Sequence, residues 1–235
     1  MKSMPPLDHG KLLARIELFS ALAPEDLHGV VALTKSRLLA AQEVVVRQGD
    51  PADAAFAIAY GRLKVVSVGE DGRETALNLM GRGDVFGELS ILDGGTRSAT
   101  VVALEPTLVL VIERVAFHAL LRTAPAFAYK MLCVVAGRLR RLSERSQDAS
   151  LDVYTRLAKR LAQLVDQYGE RAADGTVRIG LPIDQRELGE LLGTTRESVN
   201  KNLRLLQTRG IARWSQKHVV VTDLAALRAA GGVRE

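Results

Sequence analysis

The sequence holds one cysteine, Cys133, among 235 residues. A single thiol excludes an intramolecular disulfide framework and argues against a Cys-based zinc or iron–sulfur site. Long apolar runs are lacking too, and none approaches the ~18 residues that a membrane span requires. The start, Met1-Lys-Ser-Met-Pro-Pro-Leu-Asp-His9, has no apolar signal core. The four histidines, His9, His28, His118 and His218, show no metal or haem spacing. These absences predict a cytoplasmic protein with no metal and no membrane partner.

Net charge is small, +5, but unevenly placed. From Leu151 onward fourteen basic residues stand against ten acidic ones, and Arg186 to Lys217 alone carries seven against three. An excess focused in the C-terminal third predicts an acidic partner there. Hydrophobic residues, at 47%, are ample for a packed core.

Along the chain, Lys11 to Ser36 reads as short helices, with Pro24-Glu25-Asp26 as one helix start. Glycines then recur at 49, 61, 72, 83 and 95, separating β-prone runs at 43–47, 54–60, 63–68, 100–104 and 107–112. Short strands with Gly turns predict a β-sandwich or barrel. From Val115 the period becomes helical. Phe127, Met131, Val134, Arg138 and Leu142 follow spacings of three and four, and Leu132, Val135 and Leu139 add a second row. A stripe this wide can face both its own domain and a partner helix. The polar run Arg145 to Ser150 predicts the helix end and a hinge. A second amphipathic helix follows to Tyr168, and Gly169 to Gly175 reads as a loop.

Two motifs carry chemistry. In the first, Asp184 to Leu192 reads as a helix, Gly193 permits a tight turn, and Thr194 or Thr195 caps a second helix with Val199, Leu203 and Leu206 on its buried side. This is a helix-turn-helix pattern. The exposed side of the second helix carries Arg196, Glu197, Asn200, Lys201 and Arg204. Arg pairs with guanine and Glu with cytosine in the major groove, and the hydroxyls of Thr194, Thr195 and Ser198 suit phosphates. The competing reading is a helical hairpin with a solvated charged face. Downstream, Gly210 to Thr222 reads as a β-hairpin with a basic tip near Ser215 to His218, a candidate wing, with Trp214 as a packing residue.

The second motif is Gly81-Arg-Gly-Asp-Val-Phe-Gly-Glu-Leu-Ser-Ile-Leu-Asp-Gly-Gly-Thr-Arg-Ser-Ala-Thr100. Gly87 lets the backbone approach a ligand. Glu88 to Leu92 opens a short helix whose N–H groups attract a phosphate, which Arg97 neutralises with its planar fork and Ser98 with its hydroxyl. An acid beside a phosphate needs another task, and accepting a sugar hydroxyl proton suits Glu88. The alternative is a structural Glu88–Arg97 ion pair between loops, which explains the charges but not the Gly-Glu-Leu spacing.

Phe86-Gly-Glu-Leu-Ser90 with Arg97-Ser-Ala-Thr100 resembles the phosphate-binding cassette of cyclic-nucleotide-binding domains. Joined to Thr195-Arg-Glu-Ser-Val-Asn-Lys201, it resembles the cyclic-AMP receptor protein/FNR family of bacterial transcription regulators, from about Ile16 to Val221. The resemblance implies an α+β chain: a β-jelly-roll effector domain at 1–124, a dimerisation helix and hinge at 125–150, and a winged helix-turn-helix at 151–235. It implies a homodimer on palindromic double-stranded DNA, with one recognition helix per half-site. Arg196, Glu197 and Lys201 then read bases, with Asn200 beside them, and Gln185, Arg186, Thr195 and Ser198 lie near phosphates. Gly87, Glu88, Leu89, Ser90, Arg97 and Ser98 match the ribose–phosphate contacts of cyclic AMP, and Ser143 reaches the base.

The chain departs from the pattern in two places. Where the cyclic-AMP-reading members carry adjacent Thr and Ser on the dimer helix, Leu142 and Ser143 stand here, and the stretch to Leu151 is one residue shorter. The N-terminal cysteine cluster of the oxygen-sensing branch is missing. The implied activity is effector-controlled DNA binding without catalysis, with RNA polymerase as a partner and the 169–175 loop as its candidate contact. The effector alternatives are cyclic di-GMP, another small molecule, or none. A rival of another class, a regulatory module of a signalling enzyme, has only ~85 residues after Ser150 for a catalytic domain, and these hold no nucleophile–base set.

Overall fold

A computed structural model describes residues 8–20, 22–69, 74–148, 150–215 and 218–233. The chain divides into two compact units, 1–140 and 141–235.

The first unit opens with α1 (His9–Ala14) and α2 (Pro24–Ala32), the latter with Pro at its start and Glu25 and Asp26 in its first turn. Eight strands follow: β1 (Thr34–Leu39), β2 (Val44–Val46), β3 (Ala54–Tyr60), β4 (Leu63–Val68), β5 (Glu74–Met80), β6 (Val85–Phe86), β7 (Thr100–Ala103) and β8 (Thr107–Glu113). A single turn, α3 (Leu89–Leu92), interrupts them after β6. They form two four-stranded sheets, ordered β1-β8-β3-β6 and β2-β7-β4-β5. All pairings are antiparallel. Helices α4 (Arg114–Thr123) and α5 (Pro125–Asp148) complete the series.

Alternation along β8 explains the layering. Val109 joins Phe56, Ile58, Leu63, Met80, Phe86 and Val101 in one core, while Leu110 and Ile112 join Leu13, Phe19, Val30, Phe117, Phe127 and Met131 in a second. Successive side chains point to opposite faces, so a strand buried on both reads as the unbroken apolar run Leu108 to Ile112. The helical layer is tied by rings: Phe127 lies 5.4 Å from both Phe19 and Phe117.

The second unit contains α6 (Val153–Tyr168), β9 (Gly169–Arg171), β10 (Val177–Ile179), α7 (Gln185–Leu192), α8 (Arg196–Thr208), β11 (Ala212–Ser215), β12 (His218–Val221) and α9 (Leu224–Ala230). Its sheet runs β11-β12-β10-β9. Helix α6 starts where Asp152 accepts from the Thr155 N–H (3.0 Å) and hydroxyl (2.9 Å).

Two expectations are corrected. Thr34 to Ser36 is strand, not helix: β1 buries only its two ends, so it lacks the alternation that marks a strand. Gly169 to Arg171 is a strand paired with β10, and its wholly exposed side chains leave no apolar signal. Helix α5 ends at Asp148, inside the polar run 145–150 that was expected to end it. Its last residue, Asp148, pairs with Lys159 of α6 at 2.7 Å. Strands β5 and β6 carry no sequence expectation of their own.

Candidate functional site

The cassette is built at the β6–α3 junction. Gly87 has φ 74°, and a Cβ there would lie 2.6 Å from Arg97 Nη1. Both facts demand glycine. Glu88 follows as the N-cap of α3 and is fully buried. One of its oxygens, Oε1, accepts from the guanidinium of Arg138 on α5, which also donates to the Val85 carbonyl. The other, Oε2, is buried with no hydrogen-bond partner among the described residues. Burial pushes the Glu88 carboxyl above its ordinary value, and Arg138 opposes that shift.

Arg97 is buried as well, with 3% of its surface exposed. Its backbone is pinned to the β2–β3 loop, N–H to Asp50 O at 2.9 Å and O from Gly49 N–H at 2.8 Å. Its guanidinium donates to Gly87 O (2.9 Å) and Ala54 O (2.8 Å), lies 3.6 Å from Asp53 and sits over the Phe56 ring. Burial lowers its pKa, with Asp53 opposing. No ion pair joins Glu88 to Arg97, so that structural alternative does not account for the two charges: each has other partners.

The Ser90 hydroxyl donates to Thr96 O at 2.8 Å and so closes the 93–97 loop. Leu89 is half-buried and Ser98 exposed. Ser143 is exposed on the part of α5 that falls in the second unit. The structure therefore brings together Gly87, Glu88 and Arg97, and adds Arg138. That residue carries a readable signal: it is the one cation in the row Phe127, Met131, Val134, Arg138, Leu142. An open groove of about 480 Å³ lined by Asp53, Gly94, Gly95, Thr96 and Arg114 borders the loop but includes none of the three.

In the second unit, Asp184 forms a capping box: it accepts from the Arg186 and Glu187 N–H groups at 2.8 Å, and Glu187 accepts from the Asp184 N–H at 2.7 Å. Gly193 ends α7 in the left-handed region at φ 61°. Thr195, not Thr194, caps α8, accepting from Ser198 N–H at 3.2 Å. Gly189 lets the turn close, since a Cβ there would lie 2.9 Å from Thr194 O. With Val199, Leu203 and Leu206 buried, α8 leaves Arg196, Glu197, Lys201 and Arg204 exposed and Asn200 and Ser198 half-buried. Glu197 is held below the usual carboxylate range by its own backbone N–H and the Thr195 hydroxyl. Arg186 is exposed and lies 3.3 Å from Glu190, and Gln185 is half-buried beside it. The hairpin β11–β12 is present with Trp214 half-buried; part of the expected tip, residues 216 and 217, lies outside the described residues. His218 Nδ1 is 3.0 Å from Ile179 O.

Among the described residues no single helix is long and apolar enough to cross a membrane, and no three His, Cys, Asp or Glu side chains cluster to hold a metal ion.

Comparison with known proteins assigns both halves. Residues 36–124 match the cyclic nucleotide-binding domain model, and 155–230 the Crp-like helix-turn-helix domain model. The chain is 33% identical over 217 residues to the CRP-like cAMP-activated global transcriptional regulator of Mycobacterium tuberculosis, covering 91% of this chain and 95% of that one. It is similar to the catabolite activator protein structure of Thermus thermophilus, with 31% identity, 92% and 98% coverage and a TM-score of 0.51. Regulator CLP of Xanthomonas campestris, described as c-di-GMP responsive, shares the fold at 23% identity, 85% and 99% coverage and a TM-score of 0.65.

Proposed function

The chain belongs to the cyclic-AMP receptor protein/FNR family of transcription regulators, and from that premise we propose that it is a homodimeric, cyclic-AMP-responsive regulator of palindromic promoter sites. The observation that carries the effector reading is Glu88. A fully buried carboxylate with one unpartnered oxygen calls for a hydroxyl donor, and a ribose supplies one. Arg97 and the first N–H groups of α3, which have no partner within the helix, supply donors for the cyclic phosphate. The description of the mycobacterial relative as cAMP-activated supports this choice.

The proposed division of labour is an effector domain at 1–124, a dimer helix and hinge at 125–150, and a DNA-binding domain at 151–235. Gly87, Glu88, Leu89, Ser90, Arg97, Ser98 and Ser143 belong to the effector site. Arg196, Glu197, Asn200 and Lys201 face bases, and Thr195, Ser198, Gln185 and Arg186 face phosphates. The dimer uses the exposed Tyr129, Leu132, Leu139 and Leu142 of α5. The protein works in the cytoplasm with RNA polymerase as its partner and performs no catalysis. Nucleotide binding biases the dimer toward its DNA-competent state by the ligand's preference for that state.

Calorimetry with cyclic AMP, cyclic GMP and cyclic di-GMP tests the effector. Absence of heat with cyclic AMP at near-millimolar ligand overturns it, and heat with cyclic di-GMP instead names the alternative. Footprinting on palindromic promoter DNA, with and without nucleotide, tests the regulator.

A further inference from the structure

Of the polar residues on the outer face of α8, Asn200 stands apart. It is the fifth residue of the helix and lies outside the buried row Val199, Leu203 and Leu206. Arg196 and Arg204 stand four residues before and after it, so the three form one stripe, with Glu197 and Lys201 alongside. Its side-chain amide makes no hydrogen bond to the described residues. The contrast is Asn202, whose Nδ2 donates back to Ser198 O at 2.8 Å and is thereby spent on the helix itself. Asn is a poor helix former, costing about 0.7 kcal/mol against Ala, and at 200, half-buried in the helix interior, no capping role offsets that cost.

We infer that Asn200 reads an adenine in the major groove, an assignment that rests on the DNA-binding function proposed above. The chemistry is specific. A side-chain amide offers one donor and one acceptor, and adenine presents the complementary N7 acceptor and N6 donor there, whereas guanine presents two acceptors that suit Arg196. Four residues of α-helix rise about 6 Å, and base pairs stack about 3.4 Å apart. The adenine therefore falls within about two base pairs of the guanine read by Arg196.

The test is site selection by the full-length protein from a palindromic duplex library, with and without near-millimolar cyclic AMP, followed by anisotropy titrations on the selected duplex and its single-pair variants. The expected wild-type site has an A·T pair within two base pairs of a guanine, and exchange of that pair for G·C weakens binding about 10-fold or more. In Asn200→Ala the preference at that pair falls to within about 2-fold while the preference for the guanine stays. In Asn200→Asp it moves toward cytosine, because a carboxylate only accepts. A substituted protein whose sequence profile matches the wild type, or that loses affinity equally on every duplex, overturns the adenine assignment and leaves the regulator standing. A wild type that selects no DNA under either condition overturns both.

Discussion

Arg138 ties α5 to the cassette acid, and its removal has a pH signature. Burial holds the Glu88 carboxyl above its ordinary 4.5, so the folded state binds that proton more tightly than the unfolded chain. Stability on this account is greatest at low pH, falls as pH rises from about 4.5 through the folded value, and is flat beyond it. Arg138 limits the fall. Arg138→Met is expected to lose about 2–3 kcal/mol at neutral pH, at the lower end for a broken buried pair because Arg138 is 29% exposed, with the deficit shrinking toward pH 4.5. Urea unfolding across pH measures it. Adding Glu88→Gln should flatten the profile; a deficit independent of pH refutes the coupling. At Gly87, an alanine meets both a positive φ and the Arg97 guanidinium, and is expected to cost about 1–3 kcal/mol in thermal unfolding. Both this change and Arg97→Ala should weaken nucleotide binding, and unchanged affinity in Arg97→Ala refutes the pocket assignment.

At the scale of the element, the helix-turn-helix was legible in the sequence almost residue by residue, because its signals are local. Asp184 with Glu187 three places on, Gly193 after the last leucine, and Thr195 before α8 are all backbone chemistry. Asp184→Ala should lower stability by about 1–2 kcal/mol and weaken DNA binding without altering which sequence is preferred; gel-shift competition distinguishes affinity from preference. The strands were less evenly readable. Those buried on both faces, such as β8, stood out, whereas β1 and β9 hide because edge strands bury too few residues to alternate. The cassette's glycine and acid were visible as a pattern. Their partners were not: the Glu88–Arg138 pair spans fifty positions, and a contact at that separation leaves no periodic trace in one sequence.

For the molecule as a whole, α5 is the element whose apolar surface exceeds what its own unit covers. Phe127 and Met131 are buried, yet Tyr129 is 70%, Leu132 68% and Leu139 65% exposed. Such a row on a long helix is what a second copy covers in the proposed dimer. Leu132→Glu with Leu139→Glu should leave the circular dichroism spectrum unchanged and sediment as a monomer. DNA affinity should fall steeply, since each monomer then holds one half-site. A double variant that sediments as a dimer moves the interface elsewhere.

The anchoring of Arg97 has one more consequence, and it concerns disorder. Two carbonyls and the Phe56 ring hold the side chain in one arrangement through protein groups alone. An arginine carries about 2 kcal/mol of rotamer entropy, and here that freedom is surrendered during folding. Nucleotide binding then meets a donor that has little motion left to lose, so the entropy of association should be less unfavourable than for a phosphate captured by a surface arginine.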